Sequence, residues 1–158
     1  MLKYQTGQPS KEEKRKIVSI LSDIIDLYGD FYITKNNLRL MLRENTHLLF
    51  ECLGKNDKIV YGEEGIAFIT GWSDNSNRKY IKILAKDTSD AEKILEIVNW
   101  NLNETLYAKI KKENPILSAL QRKGFKFAGD RGKEILLCRK DRLTKSVNLS
   151  NKDEEGDN

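Results

Sequence analysis

The side chains able to hold a proton, a metal or a phosphate are few and scattered in this sequence. His47 is the only histidine, so neither a histidine-based triad nor a metal site with two imidazoles can be assembled. Cys52 and Cys138 each lie inside an apolar, strand-like run and match none of the usual metal spacings. They are expected to be reduced, buried thiols, which suits a cytoplasmic protein. The densest positive charge falls in residues 109–133, with Lys109, Lys111, Lys112, Arg122, Lys123, Lys126, Arg131 and Lys133. Such a surface could meet an anionic ligand or, nonspecifically, a nucleic-acid backbone. A solvated basic face is the plainer reading. No RNA or DNA motif accompanies the charge, and Phe125 and Phe127, alternating with Lys126, are expected to point inward.

One domain must position whatever site exists. The chain has 158 residues, 33% charged and 39% hydrophobic, enough for a single stable core. Its formal net charge is +4. Three basic and five acidic residues from position 141 onward leave +6 on the body, which favours an anionic ligand or an as yet unknown protein partner. No apolar run approaches the roughly 18 residues of a membrane span, and the N-terminus has no apolar signal core, so neither a membrane nor export is expected. The expected organisation is an N-terminal arm over 1–9, one domain over 10–140, and a polar, disordered tail over 141–158.

Ser10 and Glu13 form a capping box, followed by Ile17, Ile20, Leu21, Ile24, Ile25 and Tyr28 at helical spacing. Thr34 is expected to cap a second, shorter helix carrying Leu38, Met41 and Leu42. From Thr46 the period changes. THLLFECL, KIVYG and GIAFITGW read as strands, the loop 73–77 as exposed, and RKYIKILAK as a fourth strand. Ala91, Ile94, Leu95, Val98 and Leu102 share one face of a helix over 89–102. A strand at 105–111 follows, and strand, helix and strand predict a parallel crossover. Pro115 opens a short helix to Lys123, and two strands close the domain. The order is α-α-β-β-β-β-α-β-α-β-β.

The stretch TLYAKIKKENP, ILSALQRKGFKF and EILLCRK, with Gly124-Phe125 between the last helix and the final hairpin, resembles the C-terminal half of the GNAT superfamily of acyl-CoA-dependent N-acyltransferases. The resemblance implies an α/β fold: a GNAT-like mixed sheet with an N-terminal helix pair and a βαβαββ C-terminal half. It further implies that acetyl-CoA is held where the fourth strand meets the next helix, by a glycine-containing motif. Here that segment is Ala85-Lys86-Asp87-Thr88-Ser89-Asp90-Ala91, without glycine. Lys86, Thr88, Ser89 and Asn114 are the candidate cofactor contacts. Thr88 or Ser89 capping the helix explains those two residues equally well.

In many members of the family a tyrosine four residues before the glycine is poised to protonate the departing thiolate. Leu120 stands there. A carboxylate on the central strands is the usual base. Neither RKYIKILAK nor TLYAKIK contains one, so the candidates are Glu63 and Glu64 at a hairpin and Glu51 on an earlier strand. Tyr80 and Tyr107 fall on the two strands that splay apart in this fold, where either could line the central cleft. Three functions remain open: an active N-acetyltransferase using acetyl-CoA; a non-catalytic relative, similar to GNAT-fold proteins of phage or mobile elements, with a binding or assembly role and no cofactor; and a nonspecific nucleic-acid binder.

Overall fold

The computed structural model describes residues 1–28, 32–35, 38–41, 50–51, 53–71 and 78–141. Strand β1 (Lys3–Thr6) precedes helix α1 (Lys11–Tyr28) and a hairpin of β2 (Tyr32–Lys35) and β3 (Leu38–Met41). Strands β4 (Lys58–Gly62), β5 (Gly65–Thr70) and β6 (Lys79–Ala85) lead into helix α2 (Thr88–Asn101). Strand β7 (Leu106–Lys111), helix α3 (Ile116–Arg122) and strands β8 (Lys126–Arg131) and β9 (Glu134–Arg139) complete the order.

Seven strands form one sheet in the order β1-β4-β5-β6-β7-β9-β8, with β2 and β3 paired separately. The β6–β7 pair is parallel, as the crossover predicts, and the other pairs are antiparallel.

Helices cover both faces of the sheet. The predicted capping box starts α1: the Ser10 amide donates to Glu13 Oε1 at 3.0 Å, and the Glu13 amide donates to Ser10 Oγ at 3.1 Å. The α1 stripe of Ile17, Leu21 and Ile24 packs with Ile59, Tyr61, Phe68 and Leu84. On the opposite face, Ile94, Leu95 and Val98 of α2 and Ala119 and Leu120 of α3 pack with Ala67, Ile81, Leu106 and Leu137. Burying a side chain such as Ile94 or Leu95 contributes roughly 1.5–3 kcal/mol. An exposed ion pair such as Lys123–Glu96, at 3.0 Å, contributes about 1 kcal/mol at most. The two apolar layers therefore place the helices.

The N-terminal quarter differs from expectation. Residues 3–6, expected in an arm, form β1 and pair with β4 from Lys3↔Tyr61 to Thr6↔Lys58. The helix expected from Thr34 is instead the β2–β3 hairpin, paired from Tyr32↔Met41 to Lys35↔Leu38. Tyr32, Ile33 and Thr34 are aromatic or β-branched, and their strand preference outweighs the helical spacing of Leu38 and Met41. Of the expected strand THLLFECL, Phe50 and Glu51 are helical, and residues 46–49 and Cys52 lie outside the described residues. So do His47, the loop 73–77 and the tail beyond Asp141.

Phe125 is buried as expected, but Phe127 is 64% exposed. It belongs to β8, the outermost strand, where the register shifts between Phe127 and Gly129 and, among the described residues, no further strand or helix layer covers the side chain. Cys138 is a free thiol but half-buried rather than fully buried.

Candidate functional site

The ladder between β6 and β7 consists of Lys79↔Leu106 and Tyr80↔Tyr107. Beyond those two pairs β6 stays with β5 as far as Ala85, and β7 stays with β9 as far as Lys111. The sheet is thus opened between residues 81–85 and 108–111. A Lys79–Glu104 ion pair of 3.1 Å brackets the closed end.

Side chains alternate along a strand. Ile81 and Ala85, like Leu106, Ala108 and Ile110, belong to the layer under α2 and α3. Tyr80, Lys82, Tyr107 and Lys109 therefore project from the other face. The two tyrosine rings meet at the throat of the opening, with centroids 5.8 Å apart and planes at 42°. Lys109 Nζ lies 5.1 Å from the Tyr80 ring, and the Arg78 guanidinium carbon 4.6 Å from the Tyr107 ring, both within cation–π range. Arg78 stands two residues before Tyr80, and Lys109 two residues after Tyr107. Each cation reaches diagonally across to the other strand's ring. Tyr107 is also directly opposite Cys138 on β9.

Sequence reasoning placed the two tyrosines on the splaying strands but missed their mutual contact and Arg78 and Lys109 as their partners. The signal was the shared i±2 spacing of cation and tyrosine on adjacent strands.

The structure does not bring Glu64 to this throat. The turn between β4 and β5 lies beside Ala85 through the pair Gly65↔Ala85, five residues along β6 from Tyr80, or roughly 16 Å at strand rise. Glu64 Oε1 is buried without a hydrogen-bond partner among the described residues. Glu51, expected on a strand, is an exposed helical residue. Leu120, which the resemblance sets where an acid is expected, is 2% exposed and belongs to the core.

The candidate cofactor contacts gather around the starts of α2 and α3. Thr88 Oγ1 donates to Pro115 O at 3.4 Å, and Asn114 Oδ1 accepts the Ile116 amide at 2.9 Å. Lys86 and Ser89 are exposed. The cap of α2 is neither Thr88 nor Ser89 but Asp87, whose carboxylate accepts the Asp90 amide at 2.8 Å. Aspartate ranks above threonine as an N-cap because a charged acceptor suits the positive helix end. These residues do not fit a diphosphate: the first-turn amide of Asp90 is already taken, and the backbone has no glycine to permit close approach.

The basic run 109–133 does not form one uninterrupted face. Arg122 and Lys123 on α3 pair with Glu92 and Glu96 of α2 at 2.9 and 3.0 Å, and Lys112 pairs with Asp130 at 3.2 Å. Among the described residues no group of acids, histidines and cysteines could hold a metal ion, and no helix is long and apolar enough to cross a membrane.

No family model and no curated protein matches the sequence. Solved structures do. An N-acetyltransferase from Staphylococcus aureus Mu50 is similar at 15% identity with a TM-score of 0.53, covering 89% of this chain and 97% of that one. A GNAT-family acetyltransferase from Listeria monocytogenes 4b F2365 is similar at 12% identity and a TM-score of 0.51, covering 87% and 94%. The Campylobacter jejuni N-acetyltransferase PseH, in complex with acetyl coenzyme A, is similar at 15% identity and 0.50, covering 89% and 99%. This chain therefore has the GNAT fold over nearly its whole length.

Proposed function

We propose that this chain uses the GNAT fold for binding or assembly, with weak or no use of acetyl-CoA. The observation that carries the reading is Leu120, a fully packed core residue at the place where many members of the family the sequence resembles present a proton donor. A leucine can neither give a proton to a leaving thiolate nor polarise an acyl group. The candidate bases do not compensate, because Glu63 and Glu64 belong to the turn at the far end of β6. What remains is the opening itself, with Tyr107, Arg78 and Lys109 at its throat over the buried Tyr80. It suits recognition of an anionic or aromatic group on a ligand or partner protein.

Calorimetric titration with acetyl-CoA and CoA tests the proposal. Dissociation constants weaker than about ten micromolar, or net binding below roughly 7 kcal/mol, are expected. Tight binding together with release of free CoA thiol in the presence of amines would instead establish a second reading, an active N-acetyltransferase. The opening between β6 and β7 and the likeness to PseH, solved with acetyl coenzyme A, favour that alternative. Tyr107→Phe and Tyr80→Phe should then lower turnover, and Lys86→Ala should weaken CoA binding more than Lys152→Ala.

A further inference from the structure

We infer that the chain carries its own anion where a diphosphate group would have to bind, and that this anion is the Asp87 carboxylate. The inference rests on the proposed weak or absent use of acetyl-CoA and names what opposes it. The start of a long helix attracts anions because its first amides lack partners and its dipole is positive there. In α2 part of that attraction is met from within. Asp87 has an extended backbone (φ −154°, ψ 178°), its side chain takes the Asp90 amide at 2.8 Å, and its carbonyl takes the Ala91 amide at 3.0 Å.

Three further features act in the same direction. Asp90 places a second carboxylate in the first turn, 3.9 Å from Lys93 Nζ. The Glu63–Glu64 turn is fixed beside the end of β6 by the pair Gly65↔Ala85, and the buried Oε1 of Glu64 has no hydrogen-bond partner among the described residues. Negative charge therefore comes from two separate elements. Finally, the Thr88 hydroxyl bonds Pro115 O and draws the starts of α2 and α3 together. A multiply charged diphosphate would have to displace one carboxylate and approach the others.

Two substitutions separate charge from occupancy. Asp87→Asn keeps a side-chain oxygen for the Asp90 amide and removes the charge. Asp87→Gly removes both, while glycine remains an accepted N-cap. Asp23→Asn, on the exposed face of α1, makes the same change in net charge far from α2. Each full-length protein is titrated calorimetrically with inorganic pyrophosphate and with CoA, after a thermal melt confirms folding.

The unaltered chain should bind both weakly. Asp87→Gly should gain at least about tenfold for both ligands, and Asp87→Asn should gain less, mostly at low salt. Asp23→Asn should gain nothing. Unchanged binding in both Asp87 variants, or an equal gain in Asp23→Asn, would overturn the inference while leaving the proposed function intact. Tight binding of CoA by the unaltered chain would overturn both.

Discussion

The Tyr61 hydroxyl donates to Glu13 Oε2 at 3.0 Å, joining β4 to the start of α1. Glu13 also takes the Ser10 amide and lies 3.3 Å from Lys3 Nζ on β1, so one carboxylate gathers three elements. The Ser10 amide and hydroxyl, then Tyr61, hold its pKa down to about 2 from 4.5, while burial and then Glu13 push Tyr61 up to about 12 from 10.

These shifts contribute to the pH dependence of stability at both ends of the range. A depressed carboxylate stabilises the fold above its unfolded pKa and loses that contribution as pH falls from about 4.5 towards 2. A raised tyrosine stabilises it below 10 and loses that contribution as pH rises towards 12. Thermal melts across pH should show a plateau between these limits. Glu13→Gln should flatten the acid limb, and Tyr61→Phe the alkaline limb, at a cost of about 1 kcal/mol near neutrality. An acid limb unchanged in Glu13→Gln would refute the assignment.

Gly124 and Gly65 should respond to substitution for different reasons. Gly124 has φ +102° and ends α3, with the Phe125 amide bonding Leu120 O and the Gly124 amide bonding Gln121 O. A Cβ there would meet only Arg139 Cγ at 3.6 Å. Gly124→Val therefore costs chiefly backbone strain, about 1 kcal/mol or somewhat more. At Gly65 a Cβ would come within 2.3 Å of Leu84 O, so even Gly65→Ala should unfold or severely weaken the sheet. Equal melting temperatures for the two variants would contradict this ordering.

Arg139 is 3% exposed and donates to Leu102 O at 2.9 Å, Glu104 O at 2.7 Å and Asn99 Oδ1. Asn99 in turn donates to Lys123 O at 3.1 Å. The cation thus holds the end of α2 against β7 and, through Asn99, the end of α3. Arg139→Met should destabilise the domain by about 3 kcal/mol. Arg139→Lys should recover part of that, because one ammonium cannot reproduce the planar fork. Denaturant melts that place Met at or above Lys would sink the idea.

A chain ending after Asp141 should fold, since the Asp141 amide still bonds Thr105 Oγ1 at 3.0 Å and the residues removed include only Leu143, Val147 and Leu149 as sizeable apolar groups. Removing that acidic end should also strengthen binding of an anionic probe at low salt. Failure of the shortened chain to give a cooperative melt would show that the tail belongs to the folded unit.

Most elements after Lys58 were legible because each carries its own local signal: alternation in RKYIKILAK, the helical stripe Ala91 to Leu102, the glycine at the end of α3. The first quarter was less so. A strand such as β1 has no pattern of its own in four residues and exists because β4, more than fifty positions away, offers an edge. Leu38 and Met41 fit a helical period, but Tyr32 to Thr34 across from them decide for a hairpin. At the candidate site the tyrosines came from the resemblance. The cap at Asp87 and the cations over the rings depend on backbone dihedrals and cross-strand diagonals that residue types alone do not specify.

The brief β6–β7 ladder also has a mechanical meaning. The sheet consists of two plates, β1-β4-β5-β6 and β7-β9-β8, stitched along a seam of two residue pairs and backed by α2 and α3. Force applied across the seam meets little backbone resistance there, so the helical backing carries the strain. Hydrogen exchange should see a fault line in the middle of the sheet, with amides along the β7-facing edge of residues 81–85 behaving as a rim although they lie at the molecule's centre.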